Sequence, residues 1–299
     1  MTKRIKNMFL YILFTFIIYI FLSNPNIIIL SMNSSVNTFI NSLVPSLLPF
    51  LILTDILKNY GYFNFLDKII RFKYSSFFIV SLISGLPANA NLLRNYLKNN
   101  EISKEDAEKI LSCSFFPGPM FVVGFVGTTL IKNTKIAFIM LLIIYASNLI
   151  MFLFYYKTLD ASQKSIIRKK EPFFTCFKKS IISNSKVMLM ILGCLSLFNI
   201  LISILGYYFN LNGNLLSIIN GFLEISSGLK SISFSNINTY LKYVFMTVTL
   251  SFSGISVLSQ AFSLLNEYEL NILYIIKQKI IIALISLLLS LLTFYLLFQ

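Results

Sequence analysis

The chain has 299 residues, of which 57% are hydrophobic and only 12% charged, and its formal net charge is +14 at pH 7. Soluble domains hold roughly 25% charged residues, so an ordinary water-soluble globule is excluded. Histidine is absent, which removes Ser-His-Asp and Cys-His nucleophile systems, histidine-ligated metals and histidine proton relays. Cys113, Cys176 and Cys194 show no CxxC or paired spacing and support neither a zinc site nor a disulfide framework. The composition argues against an enzyme and calls for no cofactor or metal.

Apolar stretches near 20 residues long recur from end to end, which predicts an all-α polytopic membrane protein. The basic residues sit between these stretches, and the largest cluster runs from Lys157 to Lys186. Loops of this kind stay cytoplasmic. The charge is therefore read as topological, the lipid bilayer as the main partner and nucleic acid as no partner. The phenylalanines are read as lipid-facing or packing surface. Lysine outnumbers arginine 21 to 4, which says little about mechanism.

In chain order, the basic start Met1–Lys6 leads into an apolar run from Met8 to Leu22 with no small-x-small cleavage site after it. An uncleaved first helix with a cytoplasmic N-terminus is expected, followed by an uncharged external segment, 23–37. Phe39–Leu57 is the next span, returning to a basic loop that holds Lys58, Lys68, Arg71 and Lys73. Tyr74–Leu93 is apolar but broken at Ser84–Asn89, with Gly85 and Pro87 as the breaking residues. Ser103-Lys-Glu-Asp106 resembles a capping box and opens a helix that meets Phe116-Pro117-Gly118-Pro119, then runs on to Ile131. Lys135–Tyr156 is a clean span. In the second half, Ile182–Tyr207 is a span and Leu215–Leu229 a short apolar segment holding Gly221 and Glu224. Tyr243–Leu265 is broken at Ser251–Gly254, Asn266–Glu269 is another N-cap pattern, and Ile280–Phe298 is the last span.

The halves repeat. Leu48–Leu57 (LPFLILTDIL) lies over Leu192–Leu201 (LGCLSLFNIL) with five of ten positions identical and Asp55 opposite Asn199. Gly85 to Gly118 and Gly221 to Gly254 are both separations of 33 residues. With loops 58–73 and 157–181 both cytoplasmic, the two halves enter the membrane in opposite senses. Three hydrophobic elements lie between those loops, so one of them must be re-entrant or broken, and 74–93 is the best candidate. The expected organisation is an anchor helix at 1–35, a first repeat at 36–156, a basic linker at 157–181 and a second repeat at 182–299. Inverted repeats with discontinuous helices characterise transporters.

The segments Ser84-Gly-Leu-Pro-Ala-Asn-Ala-Asn91, Gly118-Pro-Met-Phe-Val-Val-Gly124 with Gly127, Gly221-Phe-Leu-Glu224 with Gly228-Leu-Lys230, and Phe252-Ser-Gly-Ile-Ser-Val-Leu-Ser-Gln260 resemble the YlbJ family of sporulation integral membrane proteins. The resemblance covers roughly residues 36 to 298. It implies paired gate (nucleoside-recognition) domains and transport of a small metabolite during sporulation. For the best-understood members it implies dipicolinic acid, moved across the outer forespore membrane. The chain departs from the family pattern where Asn91 stands in place of a membrane-embedded lysine. Phe115 and Phe116 replace a pair of asparagines, and Leu258 stands where a histidine is expected.

Several residues are candidates for a substrate site, each with a structural alternative. Gly118 and Gly254 precede helical stretches whose free N–H groups suit a carboxylate, with Pro119 at a first helical position; the alternative is close helix packing. Glu224 serves substrate or ion coupling, or pairs with Lys230 or Lys242. Asn89 and Asn91 donate to a substrate, or cap the helix after Pro87. Ser256 and Gln260 share a helix face and line a cavity, or join helices. Asp55 with Lys58 reads as a boundary ion pair. The expected function is transport of a small, planar organic anion, coupled to a proton or sodium gradient. The alternatives are a membrane scaffold that transports nothing and a nucleoside-type permease.

Overall fold

The computed structural model describes residues 3–62, 65, 74–86, 88–159 and 172–297. Pro87, Lys68, Arg71, Lys73 and the centre of the basic linker lie outside the described residues. Among those described there is no strand, and five helical segments are long and apolar enough to cross a membrane: 25–59, 134–156, 173–209, 239–264 and 272–293. The protein is a polytopic all-α membrane protein.

Helix α1 (Lys3–Ser23) packs against α2 (Pro25–Thr38), whose first position is the proline that restarts the helix after Asn24. A π-helical turn at Phe39–Leu43 joins α2 to α3 (Val44–Asn59). Together they form one 35-residue rod. Segment 23–37, expected as an external connector, is therefore mostly helix: it is uncharged and contains no breaker after Pro25. Next come α4 (Ser75–Ile83), α5 (Ala88–Lys98), α6 (Lys104–Ser114), α7 (Met120–Leu130, wound as a π-helix) and α8 (Thr134–Tyr156). The second half holds α9 (Phe173–Phe209), α10 (Gly213–Leu223), α11 (Ile225–Phe234), α12 (Thr239–Phe252), α13 (Ile255–Leu264) and α14 (Ile272–Leu297). The expected cap at Ser103 is present, its Oγ accepting from the Asp106 N–H at 3.1 Å. Asn133, Asn212 and Asn238 cap α8, α10 and α12 in the same way.

The two halves correspond element by element: a long rod, a helical hairpin, a helix broken midway and a closing span. In the first half the hairpin is α4–α5, with the Phe77 and Tyr96 rings 4.8 Å apart across it. In the second it is α10–α11, where Ser217 and Ser231 hydroxyls meet at 2.8 Å and the Ser227 hydroxyl donates to Asn220 Oδ1 at 2.9 Å. Those pairings place the second tip at Glu224. The broken helices are α6–α7, unwound at Phe115–Gly118, and α12–α13, interrupted at Ser253–Gly254. The re-entrant reading of 74–93 thus has a geometric counterpart, because α4 turns back on α5. Gly85 and Gly221 are not equivalent, however. Gly85 sits at a hairpin tip with φ +67°, whereas Gly221 is helical and lies three residues before its tip.

The rods hold the halves together. Ser31 Oγ donates to Ser203 Oγ at 2.8 Å, Asn199 Nδ2 to Ser35 Oγ at 2.8 Å, Ser180 Oγ to Ile52 O at 3.1 Å and Asn184 Nδ2 to Asp55 Oδ2 at 2.9 Å. Residue numbers rise along one rod as they fall along the other, so the rods are antiparallel. The seam is also self-complementary. Shifting Ser35–Asn199 by the 144 residues that relate Leu48 to Leu192 gives 179–55, and Asp55 meets α9 about one turn away, at Ser183 and Asn184. Asp55 accordingly bonds across the seam to α9. Around this seam the spans turn apolar faces outward. On α14, Leu273, Leu284, Leu288 and Leu292 are exposed while Ile275, Lys279, Ile282, Ser286 and Ser290 form a buried stripe. Lys279 lies inside this helix. The last span therefore begins before Ile280, and it carries an ionisable group that its apolar sequence hides.

The hairpin tips depend on absent side chains. A Cβ on Gly85 would land on the backbone of Gly118, and one on Gly228 on the backbone of Gly221. Gly193, within α9, meets nothing within 4 Å. Gly85→Ala is therefore expected to destabilise the protein by about 2 kcal/mol or more, while Gly193→Ala is neutral or stabilising by about 0.5–1 kcal/mol. Thermal unfolding of the two variants in detergent checks this, and equal melting of both would refute the close crossing.

Candidate functional site

Wherever a membrane helix stops short, its last carbonyls and first N–H groups need partners supplied by the protein. At the carboxyl end of α6 those partners converge from four elements. The Ser114 carbonyl accepts from Ser81 on α4 and from Asn89 Nδ2 on α5, the latter at 2.8 Å. Asn89 Nδ2 also reaches Ser114 Oγ at 2.5 Å. The next carbonyl, Phe115 O, accepts from Ser253 Oγ at 3.2 Å and from the Lys279 ammonium of α14. Phe115 and Phe116 are fully buried, and the Phe116 ring packs edge-on against Phe78. Phenylalanine there seals the polar junction under an apolar lid.

Glu224 caps rather than crosses. It is 2% exposed and precedes the first residue of α11, and its carboxylate accepts the Ser227 N–H at 2.6 Å. A carboxylate at a helix N-terminus is stabilised by the helix dipole as well as by this bond. Among the described residues neither Lys230 nor Lys242 forms an ion pair with it, and Lys242 Nζ instead donates to Ser233 O at 2.8 Å.

In each half the hairpin tip crosses the break. Ser84 and Gly85 press on Gly118, with the Ser84 carbonyl carbon 2.8 Å from where a Gly118 Cβ would lie. In the other half Gly254, at φ +78°, lies against Ile225, whose N is 3.1 Å from its Cβ position. Between the two crossings opens a small cavity of about 40 Å³. Pro117 and Gly118 line it from one half, Glu224, Ser226 and Gln260 from the other, and Leu47 and Ile191 from the two rods. The Cys194 thiol of α9 lies beside the Gln260 side chain.

Of the residues singled out from sequence, Gly118, Glu224, Gln260 and Pro117 meet at this cavity, with Pro119 heading α7 next to it. The others lie elsewhere. Asn89 is consumed at the end of α6, and Asn91 is half-buried along α5. Gly254 supports Ile225 from behind. Ser256 is fully buried beneath the same face, its hydroxyl without a partner. For Gly118 the site and packing readings coincide, because any side chain there strikes Ser84. Lys279 and Ser226 were not singled out. Lys279, two residues after Lys277 and just before Ile280, reads as a helix end, and a serine has no distinctive signal in this composition.

No family model matches the chain, and no solved structure matches it at a significant level. The chain is similar to the sporulation integral membrane protein YlbJ of Bacillus subtilis (strain 168), with 23% identity over 231 residues. That alignment covers 64% of this chain and 57% of the relative, so it spans little more than half of that protein's length. The helices and this similarity together identify an integral membrane protein.

Proposed function

We propose that this protein is a sporulation-associated membrane transporter for a small organic anion, with dipicolinic acid as the first substrate to test. The observation that carries the reading is the convergence of unwound backbone from both halves on one cavity. Broken helices at membrane depth persist where they are buried in protein or line a cavity, and inverted-repeat transporters place substrate there. In this reading the free N–H groups before α7 face the anion, and α11 absorbs the charge of Glu224. Gln260 and Ser226 supply hydrogen bonds. The ion gradient that drives movement is a proton or sodium gradient. The N-terminus and the start of α9 lie in the cytoplasm of a bacterial cell membrane, with the outer forespore membrane as the site of action during sporulation.

Uptake of labelled dipicolinate into vesicles holding the purified protein tests the reading. Gln260→Leu, which removes the amide at nearly constant volume without touching a crossing, is expected to lower uptake roughly tenfold while leaving the melting temperature unchanged. Dipicolinate should also protect Cys194 from maleimide, since Cys113 and Cys176 are buried and Cys194 adjoins Gln260. No uptake and no protection would assign the protein to a membrane scaffold.

Glu224 separates capping from transport. Glu224→Ala is expected to cost about 1 kcal/mol of stability by removing the cap. Glu224→Gln keeps an accepting oxygen and is expected to melt like wild type but transport more slowly. Equal uptake by wild type and Glu224→Gln would restrict the residue to structure.

Orientation is checked by labelling. Cys176 is buried and would resist reagents from either side, so a cysteine at exposed Lys178 reports instead. An impermeant maleimide should miss Lys178→Cys in intact cells and reach it in inverted vesicles. Labelling in intact cells would reverse the proposed orientation.

A further inference from the structure

Lys279 is the most deeply placed cation among the described residues, at 0% exposure. It sits seven residues past the start of α14, about 10 Å along the helix axis at 1.5 Å per residue. Among the described residues no carboxylate comes within ion-pair distance of its ammonium. Its hydrogen-bond partner is the Phe115 carbonyl, the first one beyond the last residue of α6. The hydroxyl of Ser253, from the interruption between α12 and α13, shares that carbonyl at 3.2 Å.

This arrangement has the parts of a monovalent cation site. The carboxyl end of a helix concentrates negative potential, and an unwound carbonyl with a nearby hydroxyl offers hard oxygen ligands. In transporters such half-helix ends and free carbonyls hold the coupling ion. Here the position is filled from within the chain. The adjacent carbonyl, Ser114 O, is served by neutral donors, Ser81 and Asn89. A purely structural need at Phe115 O could be met in the same neutral way. The cation also joins the halves, since Lys279 belongs to the second half and the carbonyl it binds to the first.

We propose that Lys279 is a tethered cation that occupies a coupling-ion position, at the Phe115 carbonyl and Ser253 hydroxyl, and makes transport by this protein independent of sodium. The proposal rests on the transport reading above, and narrows its coupling ion. Wild-type protein should take up dipicolinate equally in sodium chloride and in choline chloride, and should melt at the same temperature in both. Lys279→Met, which keeps the bulk and removes the charge, should reduce uptake roughly tenfold or more. Lys279→Ala leaves a space beside the two oxygens. It should melt lower than wild type in choline chloride and recover on addition of sodium chloride or methylammonium chloride.

Sodium dependence of wild-type uptake or melting would overturn the proposal, as would a Lys279→Met protein that transports like wild type. Failure of both sodium and methylammonium to raise the melting temperature of Lys279→Ala would also overturn it. If wild type moves no dipicolinate, the transport reading fails instead. The melting experiments then still decide whether Lys279 fills a cation site.

Discussion

A helix that stops inside a membrane leaves backbone groups without partners, and water is not there to take them. Much of the interior of this protein answers that constraint. The carbonyls at the end of α6 draw Ser81, Asn89, Ser253 and Lys279 from four different elements. The Ser227 N–H in the first turn of α11 draws the carboxylate of Glu224, the residue just before that helix. The end of α6, by contrast, is completed by side chains from elsewhere in the fold, so that break becomes a point where elements are tied together.

The second constraint is closeness. Hairpin tips can cross unwound segments only where backbone meets backbone, which is why Gly85 faces Gly118 and Gly254 faces Ile225. Without a hydrophobic driving force between helices in lipid, such contacts and small polar side chains supply the association. The rods follow the same rule. Serine and asparagine pairs recur along the seam from Ser31–Ser203 to Asp55–Asn184, and the exposed faces are left to leucine, isoleucine and phenylalanine.

Two buried ionisable side chains stand on opposite kinds of helix end. Glu224 occupies an N-terminus and Lys279 a carboxyl terminus, each where the helix dipole favours its charge. An isolated charge at the centre of a membrane helix costs about 2.5–3.5 kcal/mol on insertion scales. The helix ends offset part of that cost without an ion pair. The cavity beside Glu224 is bordered by unwound backbone at Pro117 and Gly118, although most of its wall is apolar.

The sequence by itself determined the class of the protein. Low charge and recurring apolar stretches leave only a helical membrane protein, and glycine and proline mark the break at Gly118 and the hairpin turn near Gly85, because few other residues tolerate such backbone. The capping pattern at Ser103 was equally local, and it formed as read. Glu224 and Gln260 were legible as polar residues in apolar surroundings. What only the tertiary structure decided was where those groups meet and what they already bind. Equal glycine spacing suggested that Gly85 and Gly221 were counterparts, but spacing does not record that the second tip falls at Glu224. Asn89 looked like a substrate ligand until the end of α6 was seen to need it. Lys279 was hidden because its partner, Phe115, lies 164 residues away. A residue that completes another helix's backbone is visible only once the two helices are side by side.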